Sequence, residues 1–410
     1  MKALALAVLL AIPGAPDRAG PEGSAGAGTS ARSSPVATAA QDNQPFKRPL
    51  QEPLDYRGPG REEPEPDVDE VVLGWFGPGD PRHPEFGDLW RGATLALEEE
   101  NAAGGYRGKP FRLLAAWSES PWKAGIVDVA RLVHERGAWA ILGGVDGTTT
   151  HLAVQIALKS HFLLLSPGST DSSTDHANVP WLFSLAPSDE VVAPVLAEAA
   201  ARATAGGPFA IAASTDHDAH AALVAVRRAL ATRRLTPASL FELSTVDPDL
   251  AALGAQLLRD ESHALVVLAP SGVAGRLVAE VRRAGWAGTI VGGATLSRSA
   301  FARAAGEAAD GVLAWVSSDP ATGTAEFAAA CERRWGEPPD EAAARGYDAV
   351  RLTAAAIRRG GLNRARIRDA VRELAPWPGV SGRVRWNALG RNDGAVRPAR
   401  WTRGRLVPVD

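Results

Sequence analysis

The 410-residue chain has a single cysteine, Cys331, which excludes an intrachain disulfide, a Cys-rich zinc site and an iron–sulfur cluster. It lacks a dominant sign of charge: 44 Lys and Arg face 47 Asp and Glu, a net −3. No global positive field exists to gather nucleic-acid phosphates, so no nucleic-acid partner is expected. Long apolar runs are missing too. Only residues 3–12 are continuously apolar, whereas a membrane-spanning helix needs about 20 such residues. No G-x-S-x-G elbow, H-E-x-x-H pair or metal-spaced Cys/His set occurs, and no Lys follows the glycines around Gly147 as in a nucleotide P-loop. The chain is therefore not expected to be an enzyme or to carry a cofactor or metal.

What is present begins with Lys2, a short Ala/Leu/Val run and small residues beyond it, the pattern of a secretory signal over residues 1–20. No cysteine follows that run, so acylation is not expected. Residues 21–68 are rich in Pro, Gly, Ser and Ala and turn acidic at Glu62, Glu63, Glu65 and Asp67. Ten of the 30 prolines fall in the first sixth of the chain. Such a segment buries too little apolar surface to offset its ordering entropy, and it reads as a disordered tether with the folded body starting near Asp69.

From residue 71 onward, short apolar runs alternate with helix-period stretches. Strands are expected at 71–75, 111–114, 139–142, 162–165, 209–212, 240–243, 265–268, 289–291 and 312–315. Helices are expected at 86–101, 125–135, 219–231 and 275–284. This alternation argues for an α/β fold with two doubly wound, Rossmann-like lobes. Open sheets of this kind bind ligands beyond the carboxyl ends of their strands, which places a solute between the lobes.

Several short motifs add to this reading. They include Gly77-Pro78, Gly92-Ala93, Glu98-Glu99, the run Asn101-Ala102-Ala103-Gly104-Gly105, and Gly143-Gly144. Further along come Ser166-Pro167-Gly168-Ser169-Thr170, Gly346-Tyr347-Asp348 and Gly382-Arg383-Val384. In order and spacing they resemble the leucine/isoleucine/valine-binding protein family, the type I periplasmic solute-binding proteins of ABC transporters. The resemblance implies two lobes joined by three hinge crossings. Lobe 1 would hold residues 69–187 with 319–380, and lobe 2 residues 188–318 with 381–410. It also implies a monomer in the periplasm that delivers a small solute (amino acid, amide or related organic acid) to an ABC permease. A sensor of the same fold that regulates a separate partner protein is the alternative, and a hydrolase or metalloprotein built on His217 and His220 a more distant one.

Candidate ligand-binding residues follow. Gly147 and Thr148 open a helix whose free N–H groups favour an anion, although an ordinary Thr cap would read the same way. Ser169 and Thr170 match the family turn that holds the ligand, and Phe86 matches the aromatic that covers it. The family's acidic partner for an α-ammonium is replaced by Ala294, and its lobe-2 Tyr-Gly pair falls near His217 and Asp218. Desolvating an ammonium without a counter-charge is costly. Either Asp216 or Asp218 supplies the missing carboxylate, or the solute has no ammonium, and the pattern leans toward the second. His217 and His220, spaced i, i+3 among carboxylates, are compatible with a metal or with a capped helix start and solvated histidines. Residues 361–410 hold 11 Arg against 4 Asp and Glu, either a solvated surface or a dock for an acidic partner.

Overall fold

The computed structural model describes residues 55–177, 179–244, 250–317 and 324–409. The expected export signal and most of the tether lie outside them. Among the described residues no helix is long and apolar enough to cross a membrane.

Five apolar runs build the first sheet: β1 (Val71–Phe76), β2 (Phe111–Ala116), β3 (Ala140–Gly143), β4 (Leu163–Ser166) and β5 (Leu182–Ser184). They run parallel in the order β2-β1-β3-β4-β5, with Val71 opposite Phe111 and Leu142 opposite Leu165. Side chains alternate across the sheet, and the core divides accordingly. Val71, Leu73, Trp75 and Leu142 enter one apolar cluster, whereas Val72, Phe76 and Ile141 enter another. Continuous apolar sequence is what burial on both faces requires. The connecting helices are α1 (Gly87–Ala102), α2 (Pro121–His134) and α3 (Gly147–Ser160).

The chain then passes to a second sheet through α4 (Asp189–Thr204), β6 (Phe209–Ser214), α5 (His217–Thr232), β7 (Ser239–Leu243) and α6 (Leu250–Arg259). It continues through β8 (Ala264–Leu268), α7 (Ser271–Arg283), β9 (Thr289–Gly292), α8 (Ser299–Ala305) and β10 (Leu313–Val316). Here too the strand residues alternate, Leu265 and Val267 in one cluster and Val266 and Leu268 in the other. All nine strands expected from the apolar runs form, each within two residues at either end.

Helices α9 (Thr324–Trp335), α10 (Glu341–Gly360) and α11 (Arg364–Glu373) return to the first sheet. Helix α10 lies so close along α1 that a Cβ at Gly92 would overlap the Ala343 carbonyl oxygen, and one at Gly346 the Leu89 carbonyl oxygen. The hairpin β11 (Trp377–Gly379) and β12 (Gly382–Val384) stays with the first lobe, where Val384 is fully buried in its core. Trp386 and Asn392 also bond to first-lobe carbonyls, those of Val371 and Leu185. The last passage between lobes thus runs between Gly394 and Arg397, later than the expected 380–382. Strands β13 (Arg397–Thr402) and β14 (Arg405–Pro408) then extend the second sheet, whose order is β14-β13-β10-β9-β8-β6-β7. Only β13 runs against the other strands of this sheet, so its pairings with β10 and β14 are antiparallel.

Residues 55–68 correct the expected start of the body at Asp69. Arg61 pairs with Asp369 at 2.7 Å, Tyr56 packs on Trp181 with ring centroids 4.5 Å apart, and Val68 joins the first core. One ion pair, one aromatic contact and one apolar anchor outweighed the Pro/Gly composition that read as a tether. The C-terminal arginines are likewise not one solvated face, since Arg368 and Arg391 are buried in the first lobe.

Candidate functional site

The loops after β1, β3 and β4 face those after β6, β8 and β9 across a cleft of ≈ 360 Å³. Its apolar wall includes Phe86, Trp117, Ala222, Leu268 and Ala269. Its ionisable groups are six carboxyl side chains (Glu85, Glu119, Asp146, Asp189, Asp216 and Asp218) against one guanidinium, Arg298, and the imidazoles of His83 and His217.

Five of the seven residues singled out in the sequence line this cleft: Phe86, Thr148, Thr170, His217 and Asp218. Phe86 stands at the start of α1 despite the long loop before it. Its ring packs edge-on to Trp117, and the Arg298 guanidinium lies 5.6 Å from the ring centroid. Gly147 and Ser169 do not line the cleft. The Gly147 N–H, expected to be open to an anion, donates to Asp218 Oδ1 at 2.7 Å. A Cβ on Gly147 would meet both Asp171 and Asp218 at 2.9 Å, which is why glycine stands there. Ser169 is fully buried, and its hydroxyl has no hydrogen-bond partner.

Two helix N-termini meet at this point. Asp146 caps α3 through the Thr149 N–H at 2.7 Å, and Asp216 caps α5 through the Ala219 N–H at 3.0 Å. Both ends carry partial positive charge, so carboxylates between them are stabilising. Burial and neighbouring acids nevertheless work against full ionisation. Burial, then the Asp146 charge, pushes the Asp218 carboxyl up to about 7, although the Gly147 N–H acts in the opposite direction. Burial likewise raises Asp146. Asp189, at the first passage between lobes, is pushed up to about 8 by burial, despite the Thr170 hydroxyl donating to it at 3.1 Å.

A second cluster adjoins the cleft. Asp171 Oδ2 lies 2.8 Å from His217 Nε2 and 3.1 Å from His151 Nε2. Burial alone would raise the Asp171 carboxyl, but the bonds from His151, His217 and Ser173 hold it well below the usual carboxylate range. Burial opposes a charge on His217, yet the Asp171 hydrogen bond and charge outweigh it and raise the imidazole. His220, the histidine paired with His217 in the sequence reading, is exposed and outside this cluster.

The loop carrying Ser169, Thr170 and Asp171 is fixed from below by Arg391. Its guanidinium donates to the carbonyls of Ser169 at 2.7 Å and Asp171 at 2.9 Å and pairs with Asp175. Further bonds cross between lobes: Glu85 accepts from Ser271 Oγ at 2.8 Å and pairs with Arg298 at 3.0 Å, and Asp88 pairs with Arg303 at 2.9 Å. Sequence reasoning did not single out Glu85, Asp189, Arg298 or Arg391. Asp189 directly follows the expected crossing and Asp146 directly precedes the helix start at Gly147, so both were within reach. Nothing local marks Arg298 or Arg391.

A profile of the family described as "Periplasmic binding protein" matches residues 81–405. An "Amino acid binding protein" of Pseudomonas aeruginosa is 30% identical over 122 residues, 30% of this chain and 33% of that protein's length. Among solved structures, the branched-chain amino acid transporter substrate-binding protein LivJ of Streptococcus pneumoniae, in complex with isoleucine, superposes with a TM-score of 0.76. It is 22% identical, with 82% of this chain and 97% of that chain covered. An ABC-transporter solute-binding protein of R. palustris, in complex with benzoate, has a TM-score of 0.74 and 17% identity, with 83% and 95% covered. At these identities the likeness shows the fold: a type I arrangement of two α/β lobes.

Proposed function

This chain belongs to the periplasmic binding protein family, and from that premise we propose that it captures an amino-acid-type solute between its lobes and hands it to an ABC permease. The observation that carries the reading is the charge of the cleft, six carboxyl groups against one guanidinium. Even with Asp189 protonated and Asp218 partly protonated near neutrality, an ammonium finds a counter-charge there. This departs from the expectation of a solute without an ammonium, which rested on Ala294. Ala294 does line the cleft, but the acid it lacks is supplied from other loops.

Asp218 is the group we assign to the ammonium. The Gly147 N–H engages its Oδ1, leaving Oδ2 for the solute. The carboxylate end is assigned to Arg298, which lines the cleft, is 5% exposed and has an Nε–H without a hydrogen-bond partner. Phe86, Trp117 and Leu268 provide an apolar wall for the side chain. The cleft's ≈ 360 Å³ suits a molecule of this size rather than a peptide. Cleft residues reach the solute from both lobes, so binding and closure are one event, and no covalent chemistry is needed. The family and the N-terminal pattern support export to the periplasm.

A thermal-shift screen of ligand-stripped protein against L-amino acids, their amides and aromatic acids tests the reading. At 100 times Kd a solute adds about 2.7 kcal/mol of stability, enough to raise the midpoint by several degrees. Amino acids should give that shift. A shift confined to aromatic acids would reject the assignment.

A further inference from the structure

The His151, Asp171 and His217 side chains offer Nε2, Oδ2 and Nε2 atoms that all lie within 4.8 Å of one another. We propose that these three groups bind a zinc(II) ion that clamps the two lobes together. His151 belongs to α3 and Asp171 to the loop after β4, both in the first lobe. His217 is the first residue of α5, in the second lobe. The ion would therefore bridge the lobes rather than sit within one.

Geometry carries the argument. Zinc takes imidazole nitrogen and carboxylate oxygen at about 2.0–2.2 Å in a tetrahedral set, so neighbouring donor atoms stand about 3.3 Å apart. The two edges from Asp171 to the histidines, 2.8 and 3.1 Å, differ from that by only a few tenths of an ångström, and the edge between the two imidazole nitrogens is under 4.8 Å. Two imidazoles with one carboxylate suit zinc and similar borderline ions, whereas magnesium and calcium prefer all-oxygen sites. Asp171 is held in place independently of any ion. Its Oδ1 accepts the Ser173 N–H at 2.8 Å, and its carbonyl accepts from buried Arg391 at 2.9 Å. The His151 and His217 side chains are 28% and 44% exposed, so an ion reaches them from solvent and a water completes the set. The nearby Asp146 and Asp218 add to the negative surroundings. On coordination each neutral imidazole carries its proton on Nδ1 and gives its Nε2 lone pair to the metal.

An open molecule would present His151 and Asp171 alone, so zinc affinity is tied to closure. By linkage, zinc and any solute held in the cleft strengthen each other. The clamp itself does not rest on the identity of that solute. If zinc fails to bind, the amino-acid reading is untouched, and the reverse holds.

The test uses untagged, chelator-treated protein titrated with zinc chloride by calorimetry. One ion per chain should bind, and His151→Ala and His217→Ala should each weaken binding by more than about 100-fold. His220→Ala should leave it unchanged, and magnesium chloride should give no binding heat. The histidine variants are chosen over Asp171 because their rings are part-exposed, and circular dichroism checks that they fold. Zinc should also raise the unfolding midpoint of the unaltered protein but not of His217→Ala. Absence of saturable binding would overturn the site. Tight binding that survives His217→Ala would overturn the clamp.

Discussion

Asp189 is buried at the edge of the cleft, and its carboxyl keeps its proton up to about pH 8, whereas an unfolded aspartate releases it near 4. Between those values the folded state binds more protons than the unfolded chain, so this group lowers stability as pH rises from about 4 to about 8. Below that window both states are protonated, and above it the full penalty applies. Urea midpoints measured at pH 5 and pH 8 should therefore fall, and Asp189→Asn should remove part of the fall. An unchanged difference in the variant would show that Asp189 ionises freely in the fold. At this scale the sequence was only partly legible. Phe86 and Thr170 reach the cleft where the family resemblance implied, and Asp218 where the family's Tyr-Gly pair is lost, because each lies at a helix start or in the loop after a strand. Arg298 and Arg391 gave no signal. A buried arginine is specified by carbonyls and carboxylates far away in the chain, here Ser169, Asp171 and Asp175, and no local pattern encodes such partners.

Helices and strands were more legible because their signal is local. The central strands were marked by continuous apolar runs, which burial on both faces demands, whereas β2 and β7 at the sheet edges are part-exposed and carry Arg112 and Glu242. Gly92 and Gly346 show a different kind of legibility. Both belong to motifs that carry the family resemblance, and both sit where α1 and α10 approach backbone to backbone. Gly92→Val should force the helices apart and cost about 1–3 kcal/mol or more. Urea unfolding with the cleft empty measures that loss, and a loss below about 0.5 kcal/mol would contradict the close crossing. The N-terminal stretch was misread for a complementary reason. Composition averages over Tyr56, Arg61 and Val68, yet those three contacts dock residues 55–68 on the first lobe.

Among the described residues, two lobes with separate cores meet through hinge passages, the facing starts of α3 and α5, and polar bonds such as Glu85 with Ser271 and Arg298. Few apolar contacts oppose opening, and the carboxylates gathered in the cleft repel one another until a cation lies among them. On the proposed reading, an amino acid would supply the ammonium for those acids and a carboxylate for Arg298, and so would favour the closed form through both ends. Removing only the ammonium isolates this claim. Calorimetry on ligand-stripped protein, comparing the best-binding L-amino acid with its des-amino carboxylic acid, is the most direct measurement. The account predicts one amino acid bound per chain and an analogue at least about 10- to 100-fold weaker, the worth of a charge-assisted bond. Equal or tighter binding of the des-amino acid would contradict it.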